Sequence, residues 1–227
     1  MLSTDFRYIH EEFDADLVTP EQMDVLWSDG WRHFGTHFFR YNLGLLGEHI
    51  RYVIPLRIDL ANFKFSKSQR RILRINSDLT VERRPIKIDT ATEELFHRHK
   101  RRFKHSVPRT LYDLLSRQPD LLPAEAQEFR VYYDERLIAV SFFDLGATSV
   151  SGIYGMFEPE ESHRSLGIFT MLKEIEFAIE TGRRFYYQGY AYAGESFYDY
   201  KKRFRGTEAF DWNGNWYAYD RADEAFR

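Results

Sequence analysis

Three runs rich in β-branched and aromatic residues stand almost end to end in the second half of the chain. They are EFRVYYD (128–134), RLIAVSFFDL (136–145) and SVSGIYGMFEP (149–159). Only the links at Asp134–Arg136 and Gly146–Thr148 separate them. Links that short bring successive strands together as antiparallel hairpins. EESHRSLGIFTMLKEIEFAIETG (160–182) follows with helical periodicity. Ile168, Met171, Leu172, Ile175, Ala178 and Ile179 form its apolar face, while Lys173, Glu174, Glu176 and Glu180 are expected to lie away from it. Gly182 closes the helix, and RRFYYQGYAY (183–192) returns as a strand. This order predicts the α+β class, with a mixed, largely antiparallel sheet flanked by helices.

The first half is less regular. Thr19-Pro20 opens a short helix, EQMDVLWSDG, with Gly30 beyond its end. WRHFGTHFFRYNL and HIRYVIPLRIDL read as two strands around a LGLLG turn. Ser66 or Ser68 caps a helix over FSKSQRRILRIN, with Ile72 and Ile75 on one face. LTVERRPIKI is a strand interrupted by Pro85. Thr90 or Thr92 caps TATEELFHRHKRRFKH, and Pro108 opens another short helix, RTLYDLLSR. ESFYDYKKRF reads as a short helix, and Asn213-Gly214 turns a terminal hairpin. The expected division is a smaller lobe over 1–60 and the main domain over 61–227.

Composition narrows the function classes. The 227 residues are 43% apolar and 30% charged, as in a globular chain. Mean hydropathy is −0.54. No apolar run approaches the roughly 20 residues of a spanning helix, and the first residues resemble no secretory signal. There is no cysteine, which removes disulfides, thiolate metal sites and cysteine nucleophiles. A cytoplasmic location without membrane contact is the expectation. Charge is uneven. Residues 1–60 carry 5 basic and 10 acidic residues, whereas 61–110 carry 14 and 5. The second stretch is either a solvated face or a surface for a polyanion. Within it, His97, His99 and His105 are spaced poorly for metal ligation on one helical face.

Three antiparallel strands, a long helix and a further strand resemble the core of the acetyl-CoA-dependent N-acyltransferase (GNAT-like) fold. In that fold the long helix begins with Arg/Gln-x-x-Gly-x-Gly/Ala and meets donor phosphates with its backbone N–H groups. Here the segment reads Arg164-Ser-Leu-Gly167-Ile-Phe169. Phe169 stands where a small residue would admit a pyrophosphate. The pieces SKSQRR (66–71), PLRI (55–58), RLIAVSFFD (136–144), EPEESHRSLG (158–167), LKEIEFA (172–178), FYYQGY (185–190) and YKKRF (200–204) resemble, in order and spacing, the arginyl/leucyl-tRNA–protein transferases. That resemblance implies transfer of arginine or leucine from aminoacyl-tRNA to the α-amine of a protein or peptide, typically one starting with Asp or Glu, with no cofactor. It also makes 1–60 the counterpart of the family's N-terminal region, without that region's cysteines. The strand before Gly189 carries Gln188 where the family commonly has leucine.

The resemblance supplies the candidate site. Gln69, Arg70, Arg71 and Arg74 are the first choice for tRNA contacts, because guanidinium groups suit phosphates. Arg98, Lys100, Arg101, Arg102 and Lys104 are second, since cations also suit a helix C-terminus. His163 and Arg164, with Lys201 and Arg203, are placed to meet the tRNA 3′ end. Gly167, Tyr187, Gly189, Tyr200 and Arg205 are expected around the donor and acceptor groups. Gln188, Tyr190 and Asp144 are the catalytic candidates, with Glu158 a further candidate base. Two other readings stay open: a CoA-dependent N-acetyltransferase, and a tRNA-binding relative without catalysis.

Overall fold

A computed structural model of the chain describes residues 7–103 and 107–219. In chain order its elements are β1 (His10–Asp14), α1 (Pro20–Ser28), β2 (Arg32–Phe34), β3 (His37–Tyr41), β4 (Leu43–Leu46), β5 (His49–Asp59), α2 (Lys67–Ile75), β6 (Thr80–Pro85), α3 (Thr90–Lys100), β7 (Ala126–Tyr133), β8 (Arg136–Leu145), β9 (Ser149–Phe157), α4 (Leu166–Glu180), β10 (Phe185–Tyr192), β11 (Thr207–Phe210) and β12 (Trp216–Ala218). Single 3₁₀ stretches lie at Leu111–Asp113, Pro159–Arg164 and Phe197–Arg203.

The expected hairpins form. β7, β8 and β9 pair antiparallel in sequence, and α4 carries the chain across to β10, which lies parallel to β9. The main sheet has nine strands, in the order β12-β11-β5-β10-β9-β8-β7-β6, with β4 also on β5. Among the described residues, β9–β10 is its one parallel pairing. β5 (residues 49–59) lies between β10 and β11, so the expected boundary after residue 60 falls at the end of a central strand. β1, β3 and β2 form a separate three-stranded sheet.

Alternation along β8 divides the core. Phe143 packs with Leu172, Ile175 and Phe177 of α4. Val140 and Phe142 pack with Leu95 and Phe96 of α3. α2 is added through Ile72 and Leu73, against the cluster of Val131, Ile138, Leu166 and Phe169. Trp27 and Met23 of α1 join Phe38 and Tyr187 in a cluster that seats the small sheet on the large one. Arg57 strengthens that side: its guanidinium lies 3.8 Å from the Phe185 ring centre and 4.2 Å from that of Trp216, while Nε donates to Glu208.

Several local expectations are corrected. Gly35, at φ 54°, breaks the first expected strand into the β2–β3 hairpin, and the expected LGLLG turn narrows to Gly47–Glu48, with Leu43–Leu46 forming strand β4. α3 is capped by Asp89, whose carboxylate accepts from Thr92 N, rather than by either threonine. Pro108 opens only one 3₁₀ turn, because Asp113 turns back to accept from Arg109 N and Thr110. In α4, Ile179 is exposed and Glu174 is buried, the reverse of the expected pattern. Leu166, Thr170, Glu174 and Phe177 fall in one stripe of the helix, and all four are buried.

Phe143 touches both the sheet and α4, with Phe129 stacked on it at 5.2 Å. Phe143→Ala is expected to cost about 3–5 kcal/mol, read as a lower urea midpoint with an unchanged slope.

Candidate functional site

β9 and β10 share only three paired positions, Ser149–Phe185, Val150–Tyr186 and Ser151–Tyr187. Beyond Tyr187 a bulge in β10 displaces Gln188 from the register with β5, and Gly189 takes φ 82°. β9 carries its own bulge at Ile153, where pairing with β8 steps from Phe143–Gly152 to Phe142–Tyr154. A bulge bends its strand and leaves one residue outside the ladder. The two strands therefore diverge, and a cavity of about 370 Å³ occupies the opening. Ser165, Gly167, Ile168, Thr170 and Met171 at the start of α4 form one wall. His99 and Phe103 approach from the end of α3, and Phe197, Tyr200 and Lys201 from the last 3₁₀ stretch.

Glu174 lies at the cavity wall, 2% exposed. Tyr186 donates its hydroxyl to Glu174 Oε2 at 2.6 Å. Burial is the largest influence on this carboxyl and pushes it up to about 7, against the opposing hydrogen bond from Tyr186. Gly152 leaves room for the pair: a β-carbon there would sit 2.9 Å from the Tyr186 hydroxyl and 3.1 Å from Glu174 Oε2. Lys201 donates to Tyr190 O at 3.0 Å, and burial followed by the nearby Arg32 lowers its ammonium to about 7. Arg32 comes from β2 and reaches into the strand opening, donating to Ser151 Oγ and, at 2.5 Å, to Gly152 O. Burial of His99 lowers it to about 4, so the ring is neutral near pH 7.

The cavity gathers Arg102, Gln188, Gly167, Tyr200 and Lys201 from the expected site. Gln188 is buried; its Nε2 donates to Thr207 Oγ1 at 3.4 Å, and Oε1 has no partner among the described residues. Asp144 lies outside the lining and holds His33 Nε2 at 2.9 Å. Glu158 accepts from Arg98 Nε at 2.7 Å and so is neutralised within the protein. Tyr187 points away, between Trp27 and Trp216. Tyr190 donates to Gly30 O at 2.7 Å, tying the sheet to the turn after α1. Gly189 is at the bulge, and Arg203 and Arg205 are exposed.

The basic helix divides by role. Gln69 is buried as the return half of a capping box, accepting from Ser66 N at 2.8 Å. Arg70 donates to Phe65 O, and Arg70, Arg71 and Arg74 are exposed on α2. Asn76, at the end of α2, donates to Arg164 O, which places this helix beside the start of α4. Arg164 itself is engaged by Asp78 and Glu161, whereas His163 is exposed. Lys100 donates to Arg109 O, and Arg101 and Arg102 are exposed. Lys104 and His105 lie outside the described residues. Phe169 is turned into the core beneath α4 and does not line the cavity, so its ring does not obstruct the helix start as expected.

The family model described as "Arginine-tRNA-protein transferase, C terminus" matches residues 90–211, more than half of the chain. The chain belongs to the aminoacyl-tRNA–protein transferase family. Relatives of this transferase include proteins named aspartate/glutamate leucyltransferase. One, from Pseudomonas fluorescens (strain Pf0-1), is 32% identical over 215 residues, covering 88% of each chain. Another, from Helicobacter hepaticus (strain ATCC 51449 / 3B1), is 26% identical over 212 residues, covering 89% of this chain and 83% of its own. The solved structure of FemX is 13% identical, with a TM-score of 0.52, and covers 89% of this chain and 69% of that one. The transferase thus has the GNAT-like fold. No helix among its described residues is long and apolar enough to cross a membrane.

Glu174, Tyr186 and Arg32 were not singled out from sequence. Counting in helical steps from Leu166 does place Glu174 on the buried stripe, which was an available signal. Arg32 offered none, because only the tertiary fold carries β2 to β9.

The raised carboxyl has a measurable consequence. Between about pH 4.5 and 7 the native protein keeps on Glu174 a proton that the unfolded chain has released. This contribution therefore falls as pH rises through that window, by on the order of 3 kcal/mol. Glu174→Gln is expected to remove that loss, seen as the difference between wild-type and variant denaturation midpoints at pH 4.5 and 8.

Proposed function

We propose that this chain transfers leucine from leucyl-tRNA to the α-amine of a protein or peptide beginning with Asp or Glu. The observation that carries this reading is a cavity at a strand divergence with a buried, proton-accepting carboxyl in its wall, in a chain of this family. Leucine is favoured over arginine by the lining. Phe142, Ile153, Ile168 and Met171 offer apolar surface, and Arg102 and Lys201 would repel a guanidinium. Among the described residues, the only carboxylate in the lining is Glu174, already engaged by Tyr186. The names of the relatives agree with leucine as donor and with an acidic acceptor residue.

The chemistry asks for positioning, one proton acceptor and charge stabilisation. The amine nitrogen attacks the ester carbonyl carbon, a C–N bond forms and the C–O bond to the ribose breaks. In this reading, Glu174 takes a proton from the amine through its link with Tyr186 and returns it to the departing ribose oxygen. Gln188 Oε1, free to accept, orients the amine. The Ile153 bulge turns backbone out of the β8–β9 ladder beside the cavity, where an N–H can meet the developing oxyanion. The exposed arginines of α2, held beside the start of α4, serve the tRNA backbone.

Purified protein mixed with charged tRNAs and peptides beginning with Asp, Glu, Arg or Ala is expected to add leucine to the Asp and Glu peptides, read by mass spectrometry. Addition of arginine instead, or no addition while tRNA binds, counts against this reading. Glu174→Gln is expected to lower kcat by about 10²–10⁴ and to leave only the rise of rate with pH that deprotonation of the acceptor's α-amine produces. Arg70→Ala with Arg71→Ala is expected to reduce the salt slope of tRNA binding by about 2, measured by filter binding from low to moderate salt.

A further inference from the structure

Most half-buried arginines in this structure face a carboxylate. Arg40 meets Glu11 and Asp29, Arg57 meets Glu208, Arg98 meets Glu158 and Arg164 meets Asp78. Arg32 and Lys201 are different. Among the described residues, neither has a carboxylate oxygen within 4.0 Å. Arg32 is spent on Ser151 Oγ and Gly152 O, and Lys201 on Tyr190 O. Asp144 acts on Arg32 only at longer range, with its Oδ2 held by His33.

The two cations converge on one point. A β-carbon placed on Gly189 would lie 3.4 Å from Lys201 Nζ and 3.5 Å from Arg32 Nε. The charges are therefore no more than about 7 Å apart across the bulged backbone of β10. Like charges so close and so little solvated are unfavourable unless an anion joins them. Lys201 lines the cavity, as do Gly152, which Arg32 grips, and Gln188, which precedes the glycine.

We propose that Lys201, backed by Arg32, binds the side-chain carboxylate of the acceptor's first residue, and that this contact selects Asp and Glu. The inference rests on the function proposed above and assigns its acceptor subsite. Lys201 is the contact, and Arg32 is a positioning residue that holds the strand opening and adds positive potential. Gln188 Oε1, on the same strand bulge, is placed to take the α-amine of that residue while the ammonium holds its side chain. An uncharged Asn in place of Asp loses the ion pair, and the two half-buried cations remain without an anion.

The test compares peptides that begin with Asp, Asn or Ala, using full-length protein and leucyl-tRNA. The wild type is expected to favour Asp over Asn by about 100-fold or more in kcat/KM, a ratio equivalent to about 3 kcal/mol. Lys201→Met keeps the aliphatic stem and is expected to bring that ratio below about 10, mainly by raising KM for the Asp peptide. Arg32→Lys, which retains charge but not the two-pronged grip, is expected to lower the ratio less. The proposal is overturned if folded Lys201→Met depresses Asp and Asn peptides alike, if its ratio is unchanged, or if the wild type itself does not prefer Asp. The first of these outcomes would instead give Lys201 to the tRNA end. Should the wild type transfer to no peptide, the transferase function fails separately. The subsite is then judged by calorimetric binding of the same peptides: a preference for Asp lost in Lys201→Met supports it, and an equal preference in both proteins overturns it.

Discussion

Parallel strands need a crossover, and crossovers tolerate divergence where tight hairpins do not. In this fold the constraint is concentrated at β9 and β10, which part after three paired positions. Every polar group of the site depends on that separation. Tyr186 is the middle residue of the paired stretch, which fixes its hydroxyl against α4. Gln188 and Gly189 follow at the bulge, where one residue leaves the register and the next adopts a conformation that favours glycine. Closing the gap would pair more backbone and bury the site completely. The structure retains instead an opening braced by Arg32, whose guanidinium donates to Gly152 O just beyond the last paired position and to the Ser151 hydroxyl.

Burial and charge are set against one another around this opening. Glu174 is pushed toward neutrality and Lys201 is lowered to about 7. Both groups therefore change charge near neutral pH, where an α-amine also gains and loses its proton. A cavity with fixed, fully compensated charges would bind but would have little capacity to move protons. The ion pairs away from the cavity have the opposite character: Arg98–Glu158, Arg57–Glu208 and Arg164–Asp78 are satisfied and hold elements together.

Much of the fold was legible because hairpins and amphipathic helices are local. The β7–β8–β9 meander, α4, β10 and the terminal hairpin stand where periodicity and turn residues put them. The failures were also local in origin. LGLLG looked like a turn because of its glycines, yet β5 recruited Leu43–Leu46 as a strand and left the turn to Gly47 and Glu48. Glu174 looked like a solvent-facing charge because charged residues usually are. Its partner Tyr186 lies on the next strand, and no pattern within the helix shows it. For the site, five of the expected residues line one cavity, and Arg70, Arg71 and Arg74 are exposed on α2. Arg32 was invisible because contacts between distant segments leave no spacing to read. Gln69 was misleading for a different reason: its amide completes a cap, a duty that a polar residue three positions after Ser66 can always take.

The position of β5 bears on how the chain is made. Its apolar half, Val53 to Ile58, pairs along its length with β10 and at Leu56 to Ile58 with β11, strands that begin only at residues 185 and 207. On the ribosome only the β4 hairpin can cover part of this strand, at residues 49–52. A nascent chain therefore carries this hydrophobic stretch without its strand partners until β10 emerges, after the meander and α4 have been made. Emergence of β10 completes the opening beside β9 that Arg32 braces. A fragment ending before β10 lacks one wall of the cavity and leaves the edge of β5 unpaired, the kind of edge that invites self-association.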